Sequence, residues 1–402
     1  MPPMTSICII GLGYIGLPTA ALMASRGFRV HGVDTDAAVR KAVAAGQAHV
    51  AEPDLAGLVR AVVDAGGLTT HAQPVAADAF LIAVPTPLTA EKRPMLGHVE
   101  DAIRAVAPVL AAGNVVILES TCPVGTTARM AALLASLRPG LRIPGDVAVA
   151  YCPERVLPGR ILGELVQNDR VVGGLTPACA EAAAHLYERF VRGAIPRTAA
   201  GTAELVKLAE NSFRDVNIAF ANELSMVAHR HGVPVAELIA LANRHPRVNI
   251  LNPGPGVGGH CIAVDPWFVV DSAPEEARLI RTAREVNDHK AEWVAAQVEA
   301  LARATPDAPI TCFGLTFKAD VDDLRESPAL AITQGLQRAF PGRVAAVEPH
   351  VTAVPGLTLL PLVAALERVG IFVLLVDHTA FRRVPRARLQ GRHVVDTRGV
   401  WS

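Results

Sequence analysis

The pattern of apolar and polar positions divides the chain into three textures. From residue 5 to about 198, short apolar, β-branched runs alternate with stretches whose apolar residues recur at helical spacing. The first run, residues 5–10, leads into GLGYIG and an amphipathic stretch to about Gly27, which predicts strand, glycine turn and helix. Further buried strands are predicted at 29–34, 79–84, 115–119 and 147–151. Such alternation makes a parallel sheet with helices on both faces.

Beyond 198 the texture changes. Residues 202–231 contain neither Pro nor Gly and predict one long helix, with a second at 275–304. Between them, 249–266 is too rich in Gly and Pro for regular structure. Strand signals return at 310–314, 343–347, 371–376 and 394–396. The expected fold is α/β: two doubly wound, Rossmann-like parallel-sheet domains (1–198 and 306–402) joined by a helical central domain (199–305) with a long helix.

Composition narrows the function. With 51% hydrophobic residues in 402, packed domains are expected. The formal net charge is zero and no dense Lys/Arg run occurs, which argues against nucleic acid and anionic membrane surfaces as partners. Six cysteines lie scattered without CxxC pairs, so neither a disulfide framework nor a metal site is expected. The apolar start lacks a basic flank and reads as a strand rather than a signal peptide. No run approaches the ~20 apolar residues of a membrane span, and the expected compartment is the cytoplasm.

The glycine turn is the first candidate site. Gly11, Gly13 and Gly16, with Tyr14 and Ile15 between them, form G-x-G-x-x-G in a strand-turn-helix context that brings backbone N–H groups to a pyrophosphate. Asp34 ends the second strand about 20 residues on, where a carboxylate accepts ribose hydroxyls and repels a 2′-phosphate. NAD is favoured over NADP, with FAD a remaining competitor. The strand ends carrying Pro85, Thr86, Ser120 and Thr121 border the same crevice, although Ser120 and Thr121 equally suit helix caps.

A second candidate lies in PGVGGHCIAVDP, where Gly258 and its neighbour leave room for a substrate to approach Cys261. From composition alone this cysteine reads as a buried residue in an irregular turn. Lys207, Asn211 and Arg214, at i, i+4 and i+7, project from one face of the long helix. The plainer reading is a solvated stripe in which Lys207 pairs with Glu204.

Taken together, IIGLGYIGLPTA, LIAVPTPL, ESTCPVGTT, YCPERVLPG, ELVKLAENSFRDVNIAFANEL, NRHPRVNILNPGPGVGGHCIAVDPWF, CFGLTFKADVDDLRESPA and VDTRGVW make the chain resemble the UDP-glucose/GDP-mannose dehydrogenase family over its full length. The resemblance implies an NAD-dependent, two-step oxidation of a UDP-N-acetylhexosamine at C6, with UDP-N-acetyl-D-mannosamine as the first expectation. UDP-N-acetylglucosamine and UDP-glucose remain alternatives within the class, and a catalytically silent nucleotide-sugar binding protein is the alternative outside it.

By the same resemblance Cys261 is the nucleophile, Lys207, Asn211 and Asp265 surround the reacting carbon, and Glu154 and Thr121 assist water. Arg155, Val156 and Arg214 lie against the sugar nucleotide, Phe317 and Lys318 hold UDP, Arg325 lies towards NAD, and Arg398 contributes to substrate binding. His245 and Arg247 match positions that complete the neighbouring subunit's site, which implies a homodimer through the helical middle. Two departures stand out: Cys122 where similar sequences often have Ser, expected to place a second, oxidation-sensitive sulfur near the cofactor, and Arg398 where some relatives have Lys.

Overall fold

A computed structural model describes residues 4–259 and 261–401. The chain divides into two compact units, Met1–Ala209 and Glu210–Ser402. In the first, β1 (Ser6–Ile10), β2 (Arg29–Val33), β3 (Leu68–His71), β4 (Ala79–Ile82), β5 (Val115–Leu118), β6 (Ala148–Tyr151), β7 (Val172–Gly174) and β8 (Arg197–Ala199) form one sheet in the order β3-β2-β1-β4-β5-β6-β7-β8. Its helices are α1 (Gly16–Ser25), α2 (Ala37–Ala44), α3 (Leu55–Asp64), α4 (Gly97–Val106), α5 (Thr126–Leu137), α6 (Ile161–Gln167) and α7 (Pro177–Tyr187).

The period of two along each strand builds two cores. Ile7 and Ile9 of β1, Leu81 of β4 and Ile117 of β5 pack with α1, α3 and α7. The intervening Cys8, Ile10, Phe80, Ile82, Val116 and Leu118 pack with α4 and α5 on the opposite face. The sheet departs from the parallel expectation at one place, because β6 and β7 pair antiparallel, Ala150 with Gly174 and Tyr151 with Gly173. The two glycines admit close neighbours: a Cβ on Gly173 would lie 2.6 Å from that of Ala203, and one on Gly174 2.2 Å from Ala180 N. They let β7 pack tightly against α7 and the start of the long helix.

That long helix, α8 (Ala200–Arg230), has 31 residues and carries the chain from the first unit into the second. The second unit continues with α9 (Val235–Ala242), α10 (Asp265–Ser272) and α11 (Arg278–Ala304). A parallel sheet β10-β9-β11-β12 follows, built from β9 (Ile310–Phe313), β10 (Val344–Val347), β11 (Ile371–Leu374) and β12 (His393–Asp396). Helix α12 (Pro328–Ala339) and the apolar stripe Val294, Val298 and Ala302 of α11 cover one face of it. The other face holds Phe313, Phe372, Phe381 and Trp401, with α13 (Leu362–Leu366) and α14 (Thr379–Arg382). No helix among the described residues is long and apolar enough to cross a membrane.

One buried cation in α11 carries a stability cost. Lys290 is 2% exposed, its Nζ donates to Ser225 Oγ at 2.7 Å and lies 4.1 Å from the Trp293 ring centre. Burial pushes its ammonium down from 10.5 to about 8. Because its folded pKa is depressed, Lys290 loses its proton in the folded chain at a lower pH than in the unfolded one, so stability rises between pH 8 and 10.5, and below 8 the full penalty stands. Lys290→Met is therefore expected to raise unfolding free energy at pH 7 by on the order of 1–3 kcal/mol. The gain should shrink as pH rises towards 10, as checked by urea denaturation at several pH values.

Candidate active site

The turn after β1 lies where the strand order reverses, between β1 and β4, which is where open α/β sheets take their ligands. Gly11 N–H donates to Val33 O at 2.8 Å and Leu12 N–H to Asp34 Oδ2 at 2.9 Å. Packing demands two of the glycines: a Cβ on Gly16 would sit 1.8 Å from the Gly11 carbonyl oxygen, and one on Gly11, whose φ is +95°, 2.6 Å from Ala83 O. Gly13 is different, with nothing within 4 Å of its Cβ position, so the turn keeps an open backbone face there. Tyr14 is exposed and Ile15 half-buried at the start of α1. Asp34 steadies the turn through Oδ2 and accepts Asp36 N–H through Oδ1 at 2.9 Å, yet stays half-buried, with lone pairs left for a ribose diol. These residues fit a dinucleotide without a 2′-phosphate.

At the neighbouring strand ends, Pro85 is exposed and Thr86 Oγ1 donates to Thr121 O at 2.7 Å. The buried Ser120 hydroxyl donates to Val84 O at 2.7 Å, tying the ends of β5 and β4 together instead of capping a helix. Helix α5 is capped by Glu204 of α8. Oε2 accepts Gly125 N–H at 2.7 Å, and Oε1 accepts Thr127 N–H at 2.7 Å and its hydroxyl at 2.6 Å. Glu204 is thus a buried clasp, and the solvated stripe pairing it with Lys207 does not form. Cys122 is also fully buried, 4.0 Å from Glu204 Oε1, so the expected oxidation-sensitive sulfur is shielded.

Lys207, one turn after Glu204, is 8% exposed and makes no hydrogen bond or ion pair among the described residues. Its charge acts on Glu154, which follows β6. Burial lifts the Glu154 carboxyl above its ordinary range, opposed by the charges of Lys207 and Arg170. Arg170, itself buried, lies 3.4 Å from Glu119 Oε1, which also accepts the Tyr187 hydroxyl at 2.6 Å. Glu154 Oε1 accepts Val156 N–H at 2.5 Å, and Arg155 Nη1 donates to Asp169 O at 3.1 Å. The segment is held from a distance by Glu52, whose oxygens accept Gly159 and Ile161 N–H, both at 2.7 Å. Glu52 and Arg170 were missed in the sequence, where an isolated acid and an arginine beside a short strand carry no periodic signal.

In the second unit Cys261 is exposed, the one exposed thiol of the six. Composition alone reads it as buried, but it stands at the start of the turn into α10, where its carbonyl accepts Val264 N–H at 3.0 Å and Asp265 N–H at 2.8 Å. Asp265 is 2% exposed, and its Oδ2 accepts Asn211 Nδ2–H at 2.6 Å. The glycines before Cys261 lie against the segment after β9: a Cβ on Gly258 would meet Glu326 O at 2.3 Å, and one on Gly259 the Phe317 ring at 3.0 Å. Gly259 N–H also donates to Arg325 O at 3.3 Å.

The remaining residues are less gathered. Arg214 is exposed on α8, as are His245 and Arg247 after α9 and Lys318 after β9. Arg325 Nε donates to Asp323 Oδ1 at 2.9 Å. Arg398 lies 3.2 Å from Asp377 and donates through Nη1 to Pro253 O at 3.2 Å.

Residues 5–191 match the NAD binding domain of the UDP-glucose/GDP-mannose dehydrogenase family, 201–289 its central domain and 311–402 its UDP binding domain. The chain belongs to this family. As a member it is an NAD-dependent nucleotide-sugar dehydrogenase. It is 57% identical to an NDP-N-acetyl-D-galactosaminuronic acid dehydrogenase of Ralstonia nicotianae, over 99% of this chain and 96% of that one. It is 52% identical to the UDP-N-acetyl-D-mannosamine dehydrogenase of Salmonella typhi, over 99% of both. Among solved structures, the UDP-D-ManNAc dehydrogenase of Pyrococcus horikoshii superposes with a TM-score of 0.90 at 41% identity, covering 98% of this chain and 96% of that one.

Proposed function

We propose that this dehydrogenase oxidises the C6 alcohol of UDP-N-acetyl-D-mannosamine to the carboxylate in two steps, with Cys261 as covalent relay. The observation that carries the reading is the single exposed thiol, four residues before the buried Asp265, whose carboxylate accepts the half-buried Asn211 amide. NAD, when bound at the Gly11–Gly16 turn and Asp34, supplies the acceptor for the hydride lost in each oxidation. Pro85, Thr86, Ser120, Thr121 and Arg325 complete that proposed set.

Water held by Lys207 and Asp265 takes the C6 hydroxyl proton in the first oxidation. The Cys261 thiolate then adds to the aldehyde carbon and the oxygen takes up a proton, giving a thiohemiacetal. This adduct retains the oxygen that a second oxidation needs, and it leaves a thioester. Lys207 and the Asn211 amide stabilise the oxyanion at each stage. Water, assisted by Glu154 and Thr121, attacks the thioester and expels the Cys261 thiolate. The raised carboxyl of Glu154 suits it to exchange a proton nearer neutrality than an ordinary glutamate. Arg155, Val156, Arg214, Gly258, Phe317, Lys318 and Arg398 are assigned to the nucleotide sugar, within a division of the chain at 198/199 and 305/306.

The mannosamine assignment is tested by supplying UDP-N-acetylmannosamine, UDP-N-acetylglucosamine, UDP-N-acetylgalactosamine and UDP-glucose and recording NADH formed per sugar. Two NADH with the first sugar, at the highest kcat/KM, is the expected result. The 57% identity to the Ralstonia relative favours the galacto sugar as second reading, and a preference for it would replace the first. Binding of the manno and galacto sugars with no NADH formed from either would sink both.

The protein is further proposed to be a cytoplasmic homodimer. Phe213, Phe220 and Val227 are 73%, 56% and 49% exposed at intervals of seven on α8, an apolar stripe suited to a second helix. His245 and Arg247 would then serve the partner's site. Phe220→Glu is expected to shift the sedimentation mass from two chains towards one; an unchanged dimer would place the interface elsewhere.

A further inference from the structure

The peptide joining Pro253 to Gly254 is gripped on both sides. Its N–H donates to Asn222 Oδ1 of α8 at 2.8 Å, and its C=O accepts Arg398 Nη1–H, from beyond β12, at 3.2 Å. Even a methyl group at Gly254 would meet Arg398 Nη1 at 2.6 Å. Asn222 is in turn held by a buried chain: its Nδ2 donates to Asn287 Oδ1 at 2.8 Å, Asn287 Nδ2 donates to Asp215 Oδ1 at 2.8 Å, and Arg284 Nη1 donates to Asp215 Oδ1 at 2.7 Å. All four side chains are at most 2% exposed.

Two physical facts make this arrangement informative. Residues 253–259 have no regular structure and include four glycines, so ordering them costs more backbone entropy than most segments, and specific contacts must select one path. A buried network with an ion pair, by contrast, adds little net stability over an apolar replacement. Its return is geometric. The path it selects ends at the exposed Cys261, seven residues beyond the gripped peptide.

We propose that Asn222, backed by Asn287, is a positioning residue for the nucleophile: by fixing the Pro253–Gly254 peptide against Arg398 it sets where Cys261 meets the aldehyde. The assignment rests on the two-step reading above. Its signature is the fate of the aldehyde, since a thiol out of place leaves the first oxidation running and lets the product escape before capture.

The experiment uses the intact enzyme with UDP-N-acetylmannosamine, NAD and semicarbazide, counting NADH per sugar and trapped aldehyde. The wild type is expected to give two NADH and no semicarbazone. Asn222→Leu should lower kcat on the order of tenfold, drop the count towards one and accumulate semicarbazone, with KM for the sugar little changed. Gly254→Ala, which displaces Arg398 and leaves Asn222 intact, should also drop the count and accumulate semicarbazone, with KM for the sugar raised as well because Arg398 is assigned to it, and serves if the first variant does not fold. Val298→Ala, a cavity in the hydrophobic cluster of the four-stranded sheet, should keep the count at two. Folded Asn222 and Gly254 variants that are slow but still yield two NADH without semicarbazone would overturn the positioning role. A wild-type count of one would overturn the covalent relay itself, and the positioning role with it.

Discussion

Cys261→Ala is expected to reduce uronate formation by roughly four orders of magnitude or more, the scale seen when a covalent nucleophile is removed. Its first oxidation should persist, releasing at most one NADH per sugar and free aldehyde. The reason is electronic: a bare aldehyde carries no tetrahedral oxygen to drive out a second hydride, and without sulfur only slow hydration provides one. Cys261→Ser should behave similarly, or halt as an ester-like adduct, because serine is a far weaker nucleophile near neutrality. Mass spectrometry of the quenched enzyme and an NADH count distinguish these outcomes. Full turnover to the acid by either variant would eliminate the covalent step.

Lys207→Ala is expected to depress kcat by a factor on the order of 10²–10⁴, as for other positioned proton-transfer and oxyanion-stabilising groups. Lys207 is buried and makes no ion pair among the described residues, so its charge is available to a developing oxyanion. Removing it also takes away the larger of the two charges that oppose the effect of burial on Glu154, so the pKa of the Glu154 carboxyl should rise further. A general base with a higher pKa is lost at higher pH as the solution is acidified. The acid limb of the kcat profile should therefore move up in the variant. An unchanged rate and profile would demote Lys207 to a structural residue.

Much of the architecture was legible because it rests on long or strongly periodic segments. A stretch from 202 to 231 without Pro or Gly leaves little but a helix, and α8 spans Ala200–Arg230. Strands flanking the cofactor turn announced themselves through β-branched runs. Three strands did not: β3 is LTTH at the sheet edge, and β7 and β8 have three residues each, too short for a period of two to register. The antiparallel β6–β7 pairing was equally hidden, since Gly173 and Gly174 are chosen for what packs against them rather than for strand propensity.

Within the candidate site, residue types were easier to read than environments. Helical spacing placed Lys207, Asn211 and Arg214 on one face, yet Lys207 is buried, Asn211 half-buried and Arg214 exposed, because burial along a helix depends on what lies over each turn. Glu204 looked like a surface partner for Lys207 and is instead the cap of α5. Asn222 falls within ELVKLAENSFRDVNIAFANEL, yet nothing in that stretch signals that its side chain receives a backbone N–H from a loop 32 residues away.

Five of the six cysteine thiols lie inside the fold and one faces solvent. A maleimide or iodoacetamide dye added to the native enzyme should consequently attach once per chain, giving a direct titration of competent centres in any preparation. Protection of that label by bound sugar nucleotide would then convert a simple fluorescence measurement into a binding isotherm, with no turnover required.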